Sequence, residues 1–115
     1  MEEVTYNKLE SLMGNDKEMM KEMLTVFLED MPVEIEQIKM AYAQANYSDL
    51  KAPAHKLKSS VTWLGLDQLH TDLVFLENYA LNGGEQTELD EVITRVGATA
   101  DYALKEVSRK LAAEF

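Results

Sequence analysis

The 115-residue sequence has no cysteine, only two prolines and no long apolar run. Without cysteine there can be no disulfide, thiolate zinc site or cysteine nucleophile. A membrane-spanning helix needs about 20 mostly apolar residues in succession, so the chain is not expected to cross a bilayer. The first residues, Met1-Glu2-Glu3, are acidic and lack the basic and apolar parts of a signal peptide. These absences together predict a cytoplasmic protein.

Positive charge is scarce, with 11 lysines and arginines against 21 acidic residues and a net charge of −10. Binding to nucleic acid or to anionic lipid requires clustered basic side chains, so we expect neither nucleic acid nor a membrane as a partner. One segment departs from this balance. Residues 46–64 contain three lysines and one aspartate, which gives a local charge of +2 around His55. Such a basic segment can attract a phosphoryl group.

Motifs of self-contained enzymes are also missing. The sequence has no Gly-rich phosphate loop, no Ser-x-Gly elbow and no His-Glu-x-x-His pair. A di-metal helical bundle needs two Glu-x-x-His pairs, and the nearest match is the single pair Asp67-x-x-His70. We therefore expect no ATP site, no metal site and no cofactor in this chain.

Apolar residues recur at helical spacing along almost the whole sequence, and no strand pattern interrupts them. The pattern predicts an all-α fold, an up-down antiparallel four-helix bundle with a short additional N-terminal helix, forming one domain over residues 1–115 and a monomer. The expected helices cover approximately residues 3–13, 16–46, 48–64, 67–82 and 87–113.

Several residues suggest where these helices start and bend. Asn15 or Asp16 can cap the second helix, and Asp67 can cap the fourth. Pro32 lies within an unbroken apolar stripe, which favours one kinked helix or two nearly collinear ones. Pro53 suits a first helical turn, so the regular part of the third helix is expected to start close to it.

His55 lies on the outer face of the third helix. At about 100° per residue, its side chain points roughly 140° away from the apolar stripe of that helix. Lys51, Lys58, Ser59 and Thr62 share this outer face. An exposed imidazole that is mostly neutral at pH 7 has a ring nitrogen free to attack an electrophile. Such a histidine can also be solvated and without function. The other histidine, in the fourth helix, is expected to be partly buried with a local hydrogen bond.

The residues around His55 resemble the histidine-containing phosphotransfer (Hpt) domain family. The run Ala54-His55-Lys56-Leu57-Lys58-Ser59-Ser60 is followed by Leu64-Gly65-Leu66, which matches the Ala-His-x-Leu-Lys-Gly-Ser pattern and its downstream Leu-Gly pair. Chain length, helix order and the Phe27-Leu28-Glu29-Asp30-x-Pro32 stretch agree as well. Ser59 departs from the pattern, where the family usually has glycine.

The resemblance implies that His55 is a phosphoacceptor through Nε2 and that Lys58 steadies the phosphoryl group. Glu77 aligns with a glutamine that hydrogen-bonds the other ring nitrogen in some members; a carboxylate there could fix the tautomer or repel the phosphate. Ser59, Lys51 and Thr62 are further candidates for supporting roles.

The expected function is a phosphorelay intermediate, a phosphocarrier rather than an enzyme. It would receive a phosphoryl group from the phosphoaspartate of a response-regulator receiver domain and pass it to another receiver. A hybrid histidine kinase would lie in the same relay, and Mg²⁺ would be bound by the receiver. The alternative is a helical adaptor that binds a protein partner without being phosphorylated.

Overall fold

The structure is a computed structural model that describes residues 2–115, and every regular element in that range is helical. The α-helices are α1 (Asn7–Met13), α2 (Lys17–Ala43), α3 (Lys51–Trp63), α4 (Asp67–Asn82) and α5 (Gln86–Glu114), and a 3₁₀ turn, Tyr47–Leu50, precedes α3. The predicted all-α class and number of helices are confirmed. No helix of residues 2–115 is both long and apolar enough to cross a membrane.

Helices α2 to α5 form an antiparallel bundle. The chain as a whole measures 44 × 23 × 21 Å along its principal axes. Each helix packs against the next in the chain, and α5 closes the ring by packing on α2. Helix α1 packs on α2 as an appendage. The inward residues form one connected hydrophobic core, which the four apolar stripes predicted.

Helix α2 is a single element of 27 residues that passes through Pro32. Of the two predicted caps, Asp16 is the one observed, since its carboxylate accepts a hydrogen bond from the Met19 backbone N–H at 3.0 Å. Pro32 is exposed, and the helix continues because the apolar stripe on either side of it stays in phase and is buried. The helix ends at Ala43, three residues earlier than expected.

The end of α2 depends on an alanine in a left-handed conformation. Ala45 has φ 56°, the only positive φ at a non-glycine residue among those described. The Asn46 N–H donates to the Ala41 carbonyl at 2.9 Å, and the Ala45 N–H donates to Tyr42 at 3.1 Å. These two bonds are those of a Schellman motif, which usually has glycine at this position.

The third helical segment is divided into the 3₁₀ turn and α3. Pro53 is the third residue of α3, within the first turn, as its missing N–H requires. His55 therefore lies at the start of the second turn. Gly65 ends the segment with φ 72°, and a Cβ atom added there would lie 2.3 Å from Thr5 Oγ1. The turn before α4 is thus limited to glycine by both conformation and space.

The first helix starts at Asn7, so its predicted start near residue 3 is wrong. The backbone of the preceding segment makes tertiary hydrogen bonds instead. The Thr5 N–H donates to the Leu64 carbonyl at 2.8 Å, and the Val4 N–H donates to the Tyr102 hydroxyl at 3.0 Å. These contacts join the end of α3 to α5, and no local sequence pattern encodes them.

The predicted cap of α4 by Asp67 is also wrong. Asp67 is the first helical residue, and the carboxylate of Glu2 occupies the capping position instead. Its two oxygens accept from the Gln68 N–H at 2.9 Å and the Leu69 N–H at 2.7 Å. A residue 66 positions away in the sequence satisfies these donors, which only tertiary structure reveals.

Candidate functional site

Helix α3 presents His55 to solvent because its opposite face is buried. Ala54, Leu57 and Val61 are at most 2% exposed and anchor the helix in the core. The His55 side chain is 68% exposed. The periodicity of α3 predicted this exposure.

Helix α4 contributes the carboxylate of Glu77, which bridges two side chains of α3. Glu77 Oε2 lies 3.0 Å from His55 Nδ1, and Glu77 Oε1 lies 2.6 Å from Lys58 Nζ. The Glu77 side chain is only 14% exposed, whereas Lys58 is 26% exposed. Residues 22 positions apart in sequence, His55 and Glu77, are thus brought together by the packing of α3 on α4.

The electrostatics of this bridge keep Glu77 ionised. Burial by itself raises the pKa of Glu77, but the hydrogen bonds from Lys58 and His55 outweigh it, and the net result is a pKa below the ordinary value. An ionised carboxylate can only accept hydrogen bonds, so His55 Nδ1 carries the proton. The lone pair of the neutral ring then lies on Nε2, on the side of the ring away from Glu77.

The basic segment is less positive than its composition suggests. Lys58 is paired with Glu77, and Lys56 Nζ lies 3.8 Å from Glu34 Oε1. Lys51, which is exposed and lines the same cleft as His55, makes no ion pair within residues 2–115. It is the lysine of this segment that is free to meet an anion without first leaving a carboxylate.

A small open cleft between α3 and α4 borders His55 and Lys58. It is also lined by Ser59, Thr62 and His70. Ser59 is exposed, whereas the Thr62 hydroxyl donates to the Lys58 carbonyl at 2.9 Å. The Thr62 proton is therefore engaged by the helix backbone, which leaves its oxygen as an acceptor only and does not favour a phosphate contact.

Sequence reasoning did not anticipate the position of His70. It is partly buried, as expected, yet it makes no side-chain hydrogen bond within the described part of the chain. It lines the same cleft as His55. The spacing of the two histidines gave no signal of this, because they lie on different helices.

A second and wider cleft, between α2 and α3, lies on the other side of His55. Met40, Gln37 and Ala41 of α2 line it, together with Lys51 and Ala52 of α3. The side chains of Ala52 and Ser59, on either side of the imidazole, are small, and the two clefts leave room for a large partner. No group of three or more histidine, aspartate or glutamate side chains in residues 2–115 is arranged to hold a metal ion.

The site is thus an exposed histidine, hydrogen-bonded to a carboxylate, on the surface of a four-helix bundle. The sequence model of the Hpt domain matches residues 22–112, and the chain belongs to this family. No curated protein and no solved structure matches the chain. Members of the Hpt family take part in histidine phosphotransfer in two-component phosphorelays, where they interact with receiver domains.

Proposed function

We propose that this protein is a phosphorelay intermediate that accepts a phosphoryl group on His55 from the phosphoaspartate of a receiver domain and passes it to another receiver. The observation that supports this most directly is the hydrogen bond between His55 Nδ1 and Glu77 at 3.0 Å. In the neutral ring it fixes the tautomer with the proton on Nδ1, so that the lone pair lies on Nε2 of an exposed side chain. Family membership supplies the reaction class.

The chemistry is an in-line transfer. The lone pair of His55 Nε2 forms the N–P bond while the P–O bond to the partner's aspartate breaks, and the aspartate leaves as a carboxylate. The Nδ1 proton stays on the ring, where the Glu77 carboxylate stabilises the positive charge that develops on the imidazole. The receiver is expected to contribute Mg²⁺ and most of the electrostatic catalysis.

Lys58 has two possible partners in this scheme. In the unphosphorylated protein its ammonium contacts Glu77 at 2.6 Å. Because Lys58 is one helical turn after His55, its flexible side chain can turn to an oxygen of the phosphoryl group once that group arrives. We propose that it stabilises the phosphorylated form in this way, with exposed Lys51 and Ser59 at the rim.

The direct test is transfer from a receiver domain carrying a ³²P-phosphoaspartate, in the presence of Mg²⁺. The wild type is expected to acquire label that is acid-labile and base-stable, as a phosphohistidine is. His55→Gln should acquire none, whereas His70→Gln is the matched control and should be labelled normally. Equal labelling of both variants would exclude His55 as the acceptor.

Absence of label on the wild type, with any of several receivers, would favour the alternative function of a helical adaptor. A hybrid histidine kinase supplies phosphoryl groups to such receivers, so we place it in the same relay. We further propose that the protein acts in the cytoplasm, where ATP-dependent kinases are charged.

The role proposed for Lys58 can be tested separately. Lys58→Ala should slow transfer to His55 or shorten the lifetime of the phosphorylated form by about tenfold, on the scale of one lost charge-assisted hydrogen bond. Lys105→Ala, an exposed lysine on α5, is the control. If both variants match the wild type in rate and lifetime, Lys58 does not act on the phosphoryl group.

A further inference from the structure

The outer face of α2 carries large apolar side chains at regular intervals. Met19, Val26, Val33 and Met40 are seven residues apart, and each is about half exposed. Seven residues are nearly two helical turns, so these side chains form one line about 32 Å long. We call it the α2 stripe. A helix of a bundle ordinarily has polar residues on its outer face, so such a line indicates a contact surface.

A row of acidic residues runs along the edge of the α2 stripe. Glu22, Glu29 and Glu36 are also seven residues apart, and each lies three or four positions from a member of the stripe. All three are exposed, and none makes an ion pair or side-chain hydrogen bond with another residue of the range 2–115. From residue 22 to residue 36 the chain has five acidic residues and no basic one.

The α2 stripe is continuous with the surroundings of His55. Met40 lines the wide cleft that contains His55, and Val26 lines an apolar groove beside Trp63 at the other end of α3. A body that covers His55 from the α2 side would therefore contact the stripe at the same time. Such a body would also meet the acidic row.

We infer that the α2 stripe and its acidic row select the receiver domain, by binding one whose docking face has an apolar centre bordered by lysine or arginine. This inference rests on the proposed function, since the bound body is the phosphoryl donor or acceptor. Apolar contact provides affinity, and the unpaired glutamates provide attraction to a basic rim and rejection of an acidic one.

Charge also decides against a second copy of the chain as the occupant. Two copies packed through the α2 stripe would bring two acidic rows together, and each copy carries a net charge of −10. Like charges placed side by side at an interface oppose association. A partner with a basic rim has the opposite effect.

The test uses receiver domains from the same genome, phosphorylated with phosphoramidate in the presence of Mg²⁺. They are ranked by the number of basic residues that border the apolar centre of their docking face. The double variant Glu29→Gln/Glu36→Gln should lower the second-order transfer rate from basic-rimmed receivers about threefold to tenfold at low salt. The control Glu91→Gln/Asp101→Asn changes the net charge equally on α5 and should leave the rate unchanged. The difference should vanish near 0.5 M salt, where the screening length is roughly 4 Å.

Binding of the receiver domain can be measured without phosphoryl transfer. Trp63 is the only tryptophan and lies in the groove beside Val26. Its fluorescence should therefore change when a receiver domain activated with beryllofluoride is titrated into the protein. Val33→Ala should weaken this binding about threefold to tenfold, whereas Leu81→Ala, which changes a comparably exposed apolar residue on α4, should not.

Three results would overturn the inference while leaving the relay intact: equal rates for the two double variants, no dependence of the rate on salt, or equal transfer from basic-rimmed and acidic-rimmed receivers. A concentration-dependent dimer that Val33→Ala abolishes would assign the surface to a second copy instead. Failure of the proposed function looks different, since the wild type would then take no label from any receiver.

Discussion

A carboxylate beside a phosphoacceptor histidine can orient the imidazole ring, and it can repel the phosphoryl group. Replacement of Glu77 separates these two effects. Glu77→Ala removes the acceptor of the His55 Nδ1–H bond, which measures 3.0 Å. Glu77→Gln keeps an acceptor oxygen and removes the charge. If orientation of the ring dominates, Glu77→Ala should slow transfer about 10–100-fold, by analogy with the loss of a carboxylate that orients a metal-bound histidine. Glu77→Gln should then slow it less than about tenfold.

The size of the opposing repulsion follows from the geometry. A phosphorus atom on Nε2 would lie about 6–7 Å from the carboxylate, where two unit charges interact by roughly 0.6–2.8 kcal/mol at an effective dielectric constant of about 20–80. The Lys58 ammonium, 2.6 Å from the same carboxylate, offsets most of this. Repulsion is therefore the smaller effect, and orientation should decide the outcome.

Rapid-quench measurement of the second-order transfer rate from a phosphorylated receiver is the assay. Thermal unfolding of each variant checks that the fold is retained. The ¹⁵N shifts of the His55 ring provide a readout that a structural role alone would not move, because they report which nitrogen carries the proton. Wild-type rates in Glu77→Ala would refute orientation by Glu77, and a Glu77→Gln variant faster than the wild type would show that repulsion is the larger effect.

Three further predictions concern stability. Ala45→Gly should raise the free energy of unfolding by about 0.5–1 kcal/mol, because it relieves left-handed strain at the end of α2. The helical control Ala43→Gly should lower the free energy of unfolding by a similar amount. Urea unfolding measures both changes, and no gain in stability for Ala45→Gly would refute the strain. Gly65→Ala should lower the free energy of unfolding by about 1–3 kcal/mol, because the backbone there has a positive φ and the new Cβ atom would clash with Thr5. Unchanged stability would contradict this. The pKa of Glu77 lies below its ordinary value of 4.5 in the folded protein, so its ionised form contributes stability above that pH, and the contribution is lost as pH falls through the folded pKa. The stability difference between the wild type and Glu77→Gln should therefore shrink from pH 7 to pH 3, and a constant difference would contradict the assignment.

The helices could be predicted because each has an apolar stripe that its own residues specify. The stripe of α3 placed Ala54 and Leu57 inside and His55 outside, and the structure agrees. The first and third helices end beside Gly14 and Gly65, and both glycines have positive φ in the structure. Glycine adopts this conformation without strain, so these two helix ends could be predicted from the sequence. The end of α2 was predicted three residues too late, because Ala45 takes a left-handed conformation that its side chain disfavours. The high helix propensity of alanine predicts instead that the helix continues.

Contacts between distant segments could not be predicted from local pattern. Asp72 of α4 is an example, because an apolar stripe gives no reason to place an aspartate inside. It is 2% exposed and receives two hydrogen bonds from Arg95 of α5, at 2.9 and 2.8 Å. An aspartate can be buried only when such a partner compensates its desolvation. Which arginine does so depends on how α4 and α5 pack.

The sequence by itself determined the helical bundle, the exposure of His55 and the family resemblance, because periodicity, turn residues and a short motif are local properties of the chain. Only the tertiary structure decided that Glu77 engages both His55 and Lys58, that Glu2 caps α4, and that the α2 stripe runs beside the phosphoacceptor candidate. These depend on the register with which one helix packs against another, and that register is set by the fit of the whole core rather than by any one segment.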